Sequence, residues 1–189
     1  MKTVMTNLKV LFFYIFLYLT FGCNDSNSIK HYKVPKSNHN ISKHESNTNS
    51  QGNLKWIKPD SWIQYNGSSL RLLSFKIPYS NNEADLSVMI LDGDGGGLSA
   101  NINRWCRQLG IPNKTDHEIE EMAELMDGSM GKYKLFQLIG DANSNNSFLC
   151  SIIPMNKKTL FVKMNLNSNG IAEVKNDFKQ FCSSLDTIK

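Results

Sequence analysis

The chain has 189 residues, of which 40% are hydrophobic and 20% are charged; this is ordinary globular composition, with room for one domain once a leader is removed. Its formal net charge is +4, and two of the positive charges, Lys2 and Lys9, lie in the leader, so the rest of the chain is near +2. An excess this small argues against nucleic acid as a partner.

The first 22 residues have the pattern of a signal peptide. Lys2 and Lys9 form a basic start, and residues 10–19 form an apolar run. That run is shorter than the roughly 20 residues that a membrane-spanning helix needs. We therefore predict that residues 1–22 are a cleaved export signal.

The apolar run leads into Leu19-Thr-Phe-Gly-Cys23, which resembles the lipobox of bacterial lipoproteins at Gly22 and Cys23. It departs from that pattern at Thr20, where leucine is usual. The resemblance implies cleavage before Cys23 and acyl chains such as palmitate on that residue, which together form a stable membrane anchor. The alternative is ordinary signal peptidase cleavage that leaves a free Cys23. We expect a protein anchored by lipid in the bacterial cell envelope and facing the periplasm or the exterior.

Residues 24–53 follow the anchor and are rich in Asn, Ser, Lys and His, with no apolar period. Such a segment cannot bury enough surface to fold alone, so we predict a flexible tether. The spacing of His31, His39 and His44 matches no compact metal site. Residues 54–189 are predicted to form a single domain.

The predicted domain begins with an extended segment in which Trp56 and Trp62 close one end of the core. Residues 69–77 and 84–91 then alternate between apolar and other side chains, with Asn81-Asn82 between them. This pattern predicts two strands in an antiparallel hairpin. The second strand is apolar enough to lie inside a sheet.

The segment Asp92-Gly-Asp-Gly-Gly-Gly97 follows the hairpin. No lysine follows Gly97 as a phosphate loop requires, and Leu98 stands where a dinucleotide fingerprint has its third glycine. A calcium loop would need a side-chain oxygen ligand where this chain has Gly96, and a bidentate glutamate where it has Asn103. We therefore predict a steric role, in which glycines with positive φ turn a strand sharply into a helix.

A helix is predicted from Leu98 to Gly110, because apolar residues recur there with the helical period. These residues are Leu98, Ile102, Trp105 and Leu109. Asn101, Arg104 and Gln108 share one flank beside this stripe and form the candidate binding strip. In the alternative interpretation Asn101 caps the first turn and the other two side chains are solvated.

A second helix is predicted from the capping box Thr115-Asp-His-Glu118 to about Met126. Its glutamates fit an exposed acidic first turn better than a metal or acid–base site. His117 lies in this acidic segment, which argues against a Cys/His catalytic pair. We expect buried thiols at Cys150 and Cys182. If Cys23 carries lipid, the domain keeps three cysteines, these two and Cys106, so at most one disulfide can form.

Residues 132–139, 147–153 and 159–166 are predicted strands of a meander. Residues 170–185 are a predicted amphipathic helix after the capping candidates Ser168-Asn169. Its apolar stripe comprises Ile171, Val174, Phe178, Phe181 and Leu185. The element order predicts an α+β fold, an antiparallel sheet packed with helices.

Three segments resemble a family of uncharacterised secreted proteins and lipoproteins of bacteria. They are Trp56-Ile-Lys-Pro-Asp-Ser-Trp62, Arg71-Leu-Leu-Ser-Phe75 and the Gly-Gly-x-x-x-Asn-x-Asn-Arg-Trp-x-x-Gln-x-Gly core from Gly96 to Gly110. Members often have arginine where this chain has Cys106. The resemblance implies no activity. The strand from Leu160 and the last helix are also similar to PsbP-like domains, which implies an α/β/α sandwich.

No nucleophile–base pair, carboxylate dyad, metal cluster or cofactor loop emerges from the spacing. We therefore expect a non-catalytic, lipid-anchored envelope domain, without metal or cofactor, that binds an envelope protein or a small ligand. The alternative is an envelope hydrolase that uses Asp92 or Asp94 beside Arg104.

Overall fold

The structure is a computed structural model that describes residues 49–51, 53–141 and 145–188. The predicted signal peptide, Cys23 and most of the predicted tether lie outside these residues. No helix within the described ranges is long and apolar enough to cross a membrane.

The described residues form strands, three α-helices and one short 3-10 helix. The strands are β1 (Asn49–Gln51), β2 (Leu54–Trp56), β3 (Ile63–Gln64), β4 (Leu73–Tyr79), β5 (Asn82–Asp92), β6 (Glu124–Gly128), β7 (Gly131–Ile139), β8 (Asn146–Met155), β9 (Lys158–Asn167) and β10 (Asp186–Thr187). The helices are α1 (Leu98–Gln108), α2 (Asp116–Met122) and α3 (Ile171–Ser184), and the 3-10 helix is Ser168–Gly170.

Seven strands form one antiparallel sheet in the order β3-β4-β5-β9-β8-β7-β6, and β1, β2 and β10 form a smaller sheet. Val88 of β5 pairs with Leu73 on one side and with Val162 on the other, so β5 lies inside the sheet as predicted. The hairpin of β4 and β5 and the meander of β7, β8 and β9 are confirmed. The fold is α+β.

The large sheet separates two apolar cores. On one face, Phe178 and Phe181 of α3 pack with residues such as Phe75, and the Trp62 ring contacts Phe181 at a tilt of 44°. On the other face, Trp105 of α1 packs edge-on against the Phe161 ring. Alternation along the strands supplies both cores, because successive side chains point to opposite faces of a sheet. The result is an α/β/α arrangement.

Several predicted boundaries are wrong. The strand expected from Ser69 begins at Leu73 and continues to Tyr79, because residues before Leu73 form a turn in which Arg71 N–H donates to the Ser68 carbonyl. Ser168-Asn169 supplies no side-chain cap to α3.

The prediction for the second helix is correct at its start and wrong at its end. The Thr115 capping box is present: Thr115 Oγ1 accepts from Glu118 N–H at 3.3 Å, and the Glu118 carboxylate accepts from Thr115 N–H at 2.7 Å. The helix ends at Met122, however, and not near Met126. Residues from Glu124 onward instead pair with β7 through the Gly128–Gly131 turn.

Candidate functional site

The glycine segment makes the sharp turn between β5 and α1. Gly93, Gly95, Gly96 and Gly97 all have positive φ, between 60° and 95°, a region that glycine enters without steric cost. The Asp94 carboxylate accepts a hydrogen bond from Gly96 N–H at 2.9 Å. A Cβ at Gly95 would lie 2.5 Å from the Phe161 ring. The steric role predicted for these glycines is confirmed.

Asn101 supports this turn from the inside. Its side chain is only 2% exposed, and Nδ2 donates to the carbonyls of Gly95 at 3.1 Å and Gly97 at 2.8 Å. Both carbonyls belong to the turn, so the amide ties the start of α1 to the preceding segment. Asn101 therefore does not share a solvent-facing strip with Arg104 and Gln108, which corrects its placement on that surface.

Arg104 and Gln108 are exposed. Lys163, which the sequence pattern did not indicate, lies beside Gln108 on the same surface. Arg104 Nη1 donates to Asn101 Oδ1 at 3.0 Å, and Lys163 Nζ of β9 donates to Gln108 Oε1 at 2.9 Å. Lys163 also lies over the Phe148 ring, 4.2 Å from its centroid, and burial lowers its pKa. We call Arg104, Gln108 and Lys163 the polar strip. Amide oxygens orient both cations, and neither forms an ion pair with a carboxylate among the described residues.

The groups of the hydrolase alternative do not converge in the described part of the chain. The Asp92 carboxylate is exposed and lies 3.8 Å from Lys158 Nζ. The Asp94 carboxylate accepts a hydrogen bond from Gly96 N–H within the glycine turn. Neither forms an ion pair with Arg104. His117 is exposed, and its Nε2 lies 3.4 Å from the Glu121 carboxylate.

The cysteines offer no reactive thiolate in the described ranges. Cys106, Cys150 and Cys182 are buried, free thiols. Burial raises the pKa of all three, and a protonated thiol is a poor nucleophile. The burial predicted for Cys150 and Cys182 is confirmed. The described residues also contain no group of three or more His, Cys, Asp or Glu side chains that could hold a metal ion.

An apolar cleft of about 330 Å³ opens between the first residue of α1 and the strands β6 to β9. Its lining residues are Asp94, Leu98, Leu125, Lys132, Tyr133, Lys134, Ile152, Pro154, Thr159 and Phe161. Leu125 lies on the edge strand and is 62% exposed. Sequence reasoning missed this cleft because its walls come from separate segments, and because the helix predicted to extend to about Met126 includes Leu125, which lies in strand β6.

The polar groups of the cleft already have partners. Thr159 Oγ1 donates to the Gly93 carbonyl at 2.7 Å. Lys132 pairs with Asp127 at 2.8 Å, and Lys134 donates to Glu120 at 2.6 Å. The surface that remains for a ligand is therefore mostly apolar, from Leu98, Leu125, Ile152 and Phe161.

No protein-family model and no curated protein matches the chain. Solved structures resemble it at low identity. Cyanobacterial PsbP from Synechocystis sp. PCC 6803 is 15% identical, with a TM-score of 0.49 over 79% of this chain and 98% of that one. LpqN of Mycobacterium tuberculosis, described as involved in cell envelope biogenesis, is 10% identical, with a TM-score of 0.40 over 72% of this chain and 83% of that one.

A protein of Bacteroides thetaiotaomicron is 11% identical, with a TM-score of 0.47 over 74% of this chain. The present chain spans only 50% of that protein. At these identities the likenesses concern architecture alone.

Proposed function

We propose that the chain is a lipid-anchored envelope protein whose folded domain is a non-catalytic binding module. The apolar cleft beside the glycine turn would hold the apolar part of a small ligand. The observation that carries this proposal is the cleft itself, which is concave, about 330 Å³ in volume and lined mainly by apolar side chains. Small-molecule sites are commonly apolar concavities of roughly 300–1,000 Å³ with few polar groups.

The chemistry around the cleft favours binding over catalysis. Its two lysines are held by exposed carboxylates, and its threonine is bonded to the turn. None of these groups is placed as a nucleophile beside a base, which covalent or acid–base catalysis requires. The cleft can gain free energy by covering exposed apolar surface, above all Leu125, at about 25 cal/mol per Å².

Leu125 provides the sharpest test because it contributes to the cleft and little to the core. Leu125→Ala removes apolar carbon atoms from the wall, each worth about 0.8 kcal/mol when buried. If two of these carbon atoms no longer contact the ligand, the dissociation constant should rise about tenfold. Ile139→Ala is the matched control, because Ile139 is similarly exposed, at 52%, and does not line the cleft.

The experiment titrates the full-length chain with N-phenyl-1-naphthylamine, a neutral apolar fluorophore. We expect saturable binding by the wild type and by Ile139→Ala, and weaker binding by Leu125→Ala. Equal affinities in all three proteins, or no saturable binding by the folded wild type, would contradict the proposal.

The polar strip supports a second candidate function, the binding of an acidic surface on an envelope protein. Arg104 and Lys163 are oriented by the amides of Asn101 and Gln108, and neither forms an ion pair with a carboxylate in the part of the chain that the structure describes. A partner pulled down from detergent-solubilised envelope should be lost with Arg104→Ala and kept with Arg107→Ala, because Arg107 is also exposed but contacts Asn113 instead. Retention of the partner by both variants would argue against this surface.

A further inference from the structure

The apolar cleft is a groove that crosses four neighbouring strands. Phe161 of β9 pairs with Ile152 of β8, and Ile152 pairs with Lys134 of β7. Lys134 pairs in turn with Leu125 of β6. All four residues line the cleft, and residues that pair across strands lie on the same face of a sheet. The floor of the groove therefore runs perpendicular to the strands, from β9 inside the sheet to the edge strand β6.

The two ends of this groove differ. At β9 the glycine turn is tied to the strand, because Thr159 Oγ1 donates to the Gly93 carbonyl at 2.7 Å. Gly95 approaches Phe161 so closely that a Cβ on Gly95 would lie 2.5 Å from the ring. At β6 the sheet ends, and Leu125 is 62% exposed. The groove is therefore closed by the turn at one end and open at the edge of the sheet.

Length and volume both indicate a groove that is one alkyl chain wide. Four strands about 4.8 Å apart span roughly 14 Å. An extended alkyl chain advances by roughly 1.25 Å per carbon–carbon bond, so about twelve carbon atoms cover that span. The volume of about 330 Å³ holds about eleven groups the size of a water molecule, at ~30 Å³ each. Because the two counts agree, the groove has room for one chain in single file and not for the two chains of a membrane phospholipid.

The charged groups beside the groove also differ between its ends. Lys132 and Lys134 lie on β7, next to the open edge, whereas Asp94 lies in the turn at the closed end. Both lysines pair with exposed carboxylates, those of Asp127 and Glu120, and ion pairs of this kind contribute little free energy. A carboxylate on a ligand would therefore be repelled at the turn and accommodated beside the lysines.

We propose that the groove binds one free fatty acid of about twelve carbon atoms, with its methyl end at the glycine turn and its carboxylate at the edge of the sheet. This inference rests on the function proposed above and narrows the ligand to a single straight chain. The affinity should rise by up to about fourfold with each added methylene group. The increase should stop once the chain crosses β6, because further carbon atoms would lie in water.

Leu125→Ala is the informative variant because only a long chain reaches β6. Octanoate extends over roughly 9 Å, about two strand spacings from the turn, and stops short of Leu125. Leu125→Ala should therefore weaken dodecanoate binding about tenfold and leave octanoate binding unchanged. Ile139→Ala is the matched control and should change neither, because Ile139 is also exposed but does not line the groove.

The measurement is a methyl NMR titration of the full-length chain, read at Ile152 in the middle of the floor. The detergent has a rigid steroid as its apolar part, so that no other alkyl chain competes. Octanoate, dodecanoate and hexadecanoate are each added below the concentration at which they aggregate, and N-phenyl-1-naphthylamine is titrated in parallel. We expect dodecanoate to bind at least tenfold more tightly than octanoate, and hexadecanoate to bind no more tightly than dodecanoate.

The outcomes separate this inference from the function on which it rests. The inference is overturned, and the proposed function stands, if the fluorophore binds saturably but alkanoate affinity does not depend on chain length or keeps rising through hexadecanoate. An equal effect of Leu125→Ala on octanoate and dodecanoate would overturn it in the same way. If neither the fluorophore nor any alkanoate binds saturably, both proposals are wrong.

Discussion

Replacing Asn101 tests whether its amide braces the glycine turn. Asn101→Ala removes two hydrogen bonds donated to the Gly95 and Gly97 carbonyls, each worth roughly 1 kcal/mol net. The Gly97 carbonyl keeps its bond from the Asn101 backbone N–H at 3.2 Å, so the loss is greater at Gly95. The free energy of unfolding should therefore fall by about 1–3 kcal/mol. Asn101→Asp should cost more than Asn101→Ala, because neither residue donates to the carbonyls and the aspartate would in addition bury a negative charge against their oxygens.

Urea denaturation of the full-length chain measures these differences in the free energy of unfolding, provided that its dependence on urea concentration is the same in every variant. Arg104→Ala is the control, since an exposed side chain bonded only to an amide should change stability by no more than about 0.5 kcal/mol. The reasoning is refuted if Asn101→Ala is as mild as Arg104→Ala, or if Arg104→Ala is the more damaging change.

Three further predictions follow from burial, charge and anchoring. Trp105→Ala should cost about 3–5 kcal/mol in urea denaturation, because the ring is 6% exposed in the core under α1. Burial raises the pKa of Asp85, but hydrogen bonds from its arginine and tyrosine partners outweigh this and hold the pKa below its usual value. The stability that this carboxylate contributes is then present above pH ~4 and lost as pH falls through the lowered pKa, so the melting temperatures of wild type and Asp85→Asn should converge only in acid. Thiol titration of the unfolded, reduced protein should find the three buried cysteines if Cys23 is acylated, and four if it is free.

The main elements of the fold were predictable because their apolar periods are long. The stripe from Ile171 to Leu185 identifies α3, and alternation identifies β5 and the meander. β6 was missed because residues 119–126 fit the helical period as well as a strand, and only pairing with β7 decides between them. β3 and β10 contain two residues each, too few to produce any period.

The candidate site was only partly predictable. Helical geometry places Asn101, Arg104 and Gln108 on one flank, but the burial of Asn101 depends on two turn carbonyls whose positions spacing does not reveal. Lys163 joins the strip from a strand that is distant in sequence. The apolar cleft likewise depends on how separate strands and loops meet.

The most direct test of the proposed function is a methyl NMR titration of the full-length chain with N-phenyl-1-naphthylamine. We predict that the methyl resonances of Leu98, Leu125 and Ile152 shift together and saturate at one dissociation constant, because all three side chains line the apolar cleft. Shifts that saturate instead at Leu54, Ile90 and Ile188, which line a different groove, or the absence of any saturable shift, would contradict the account.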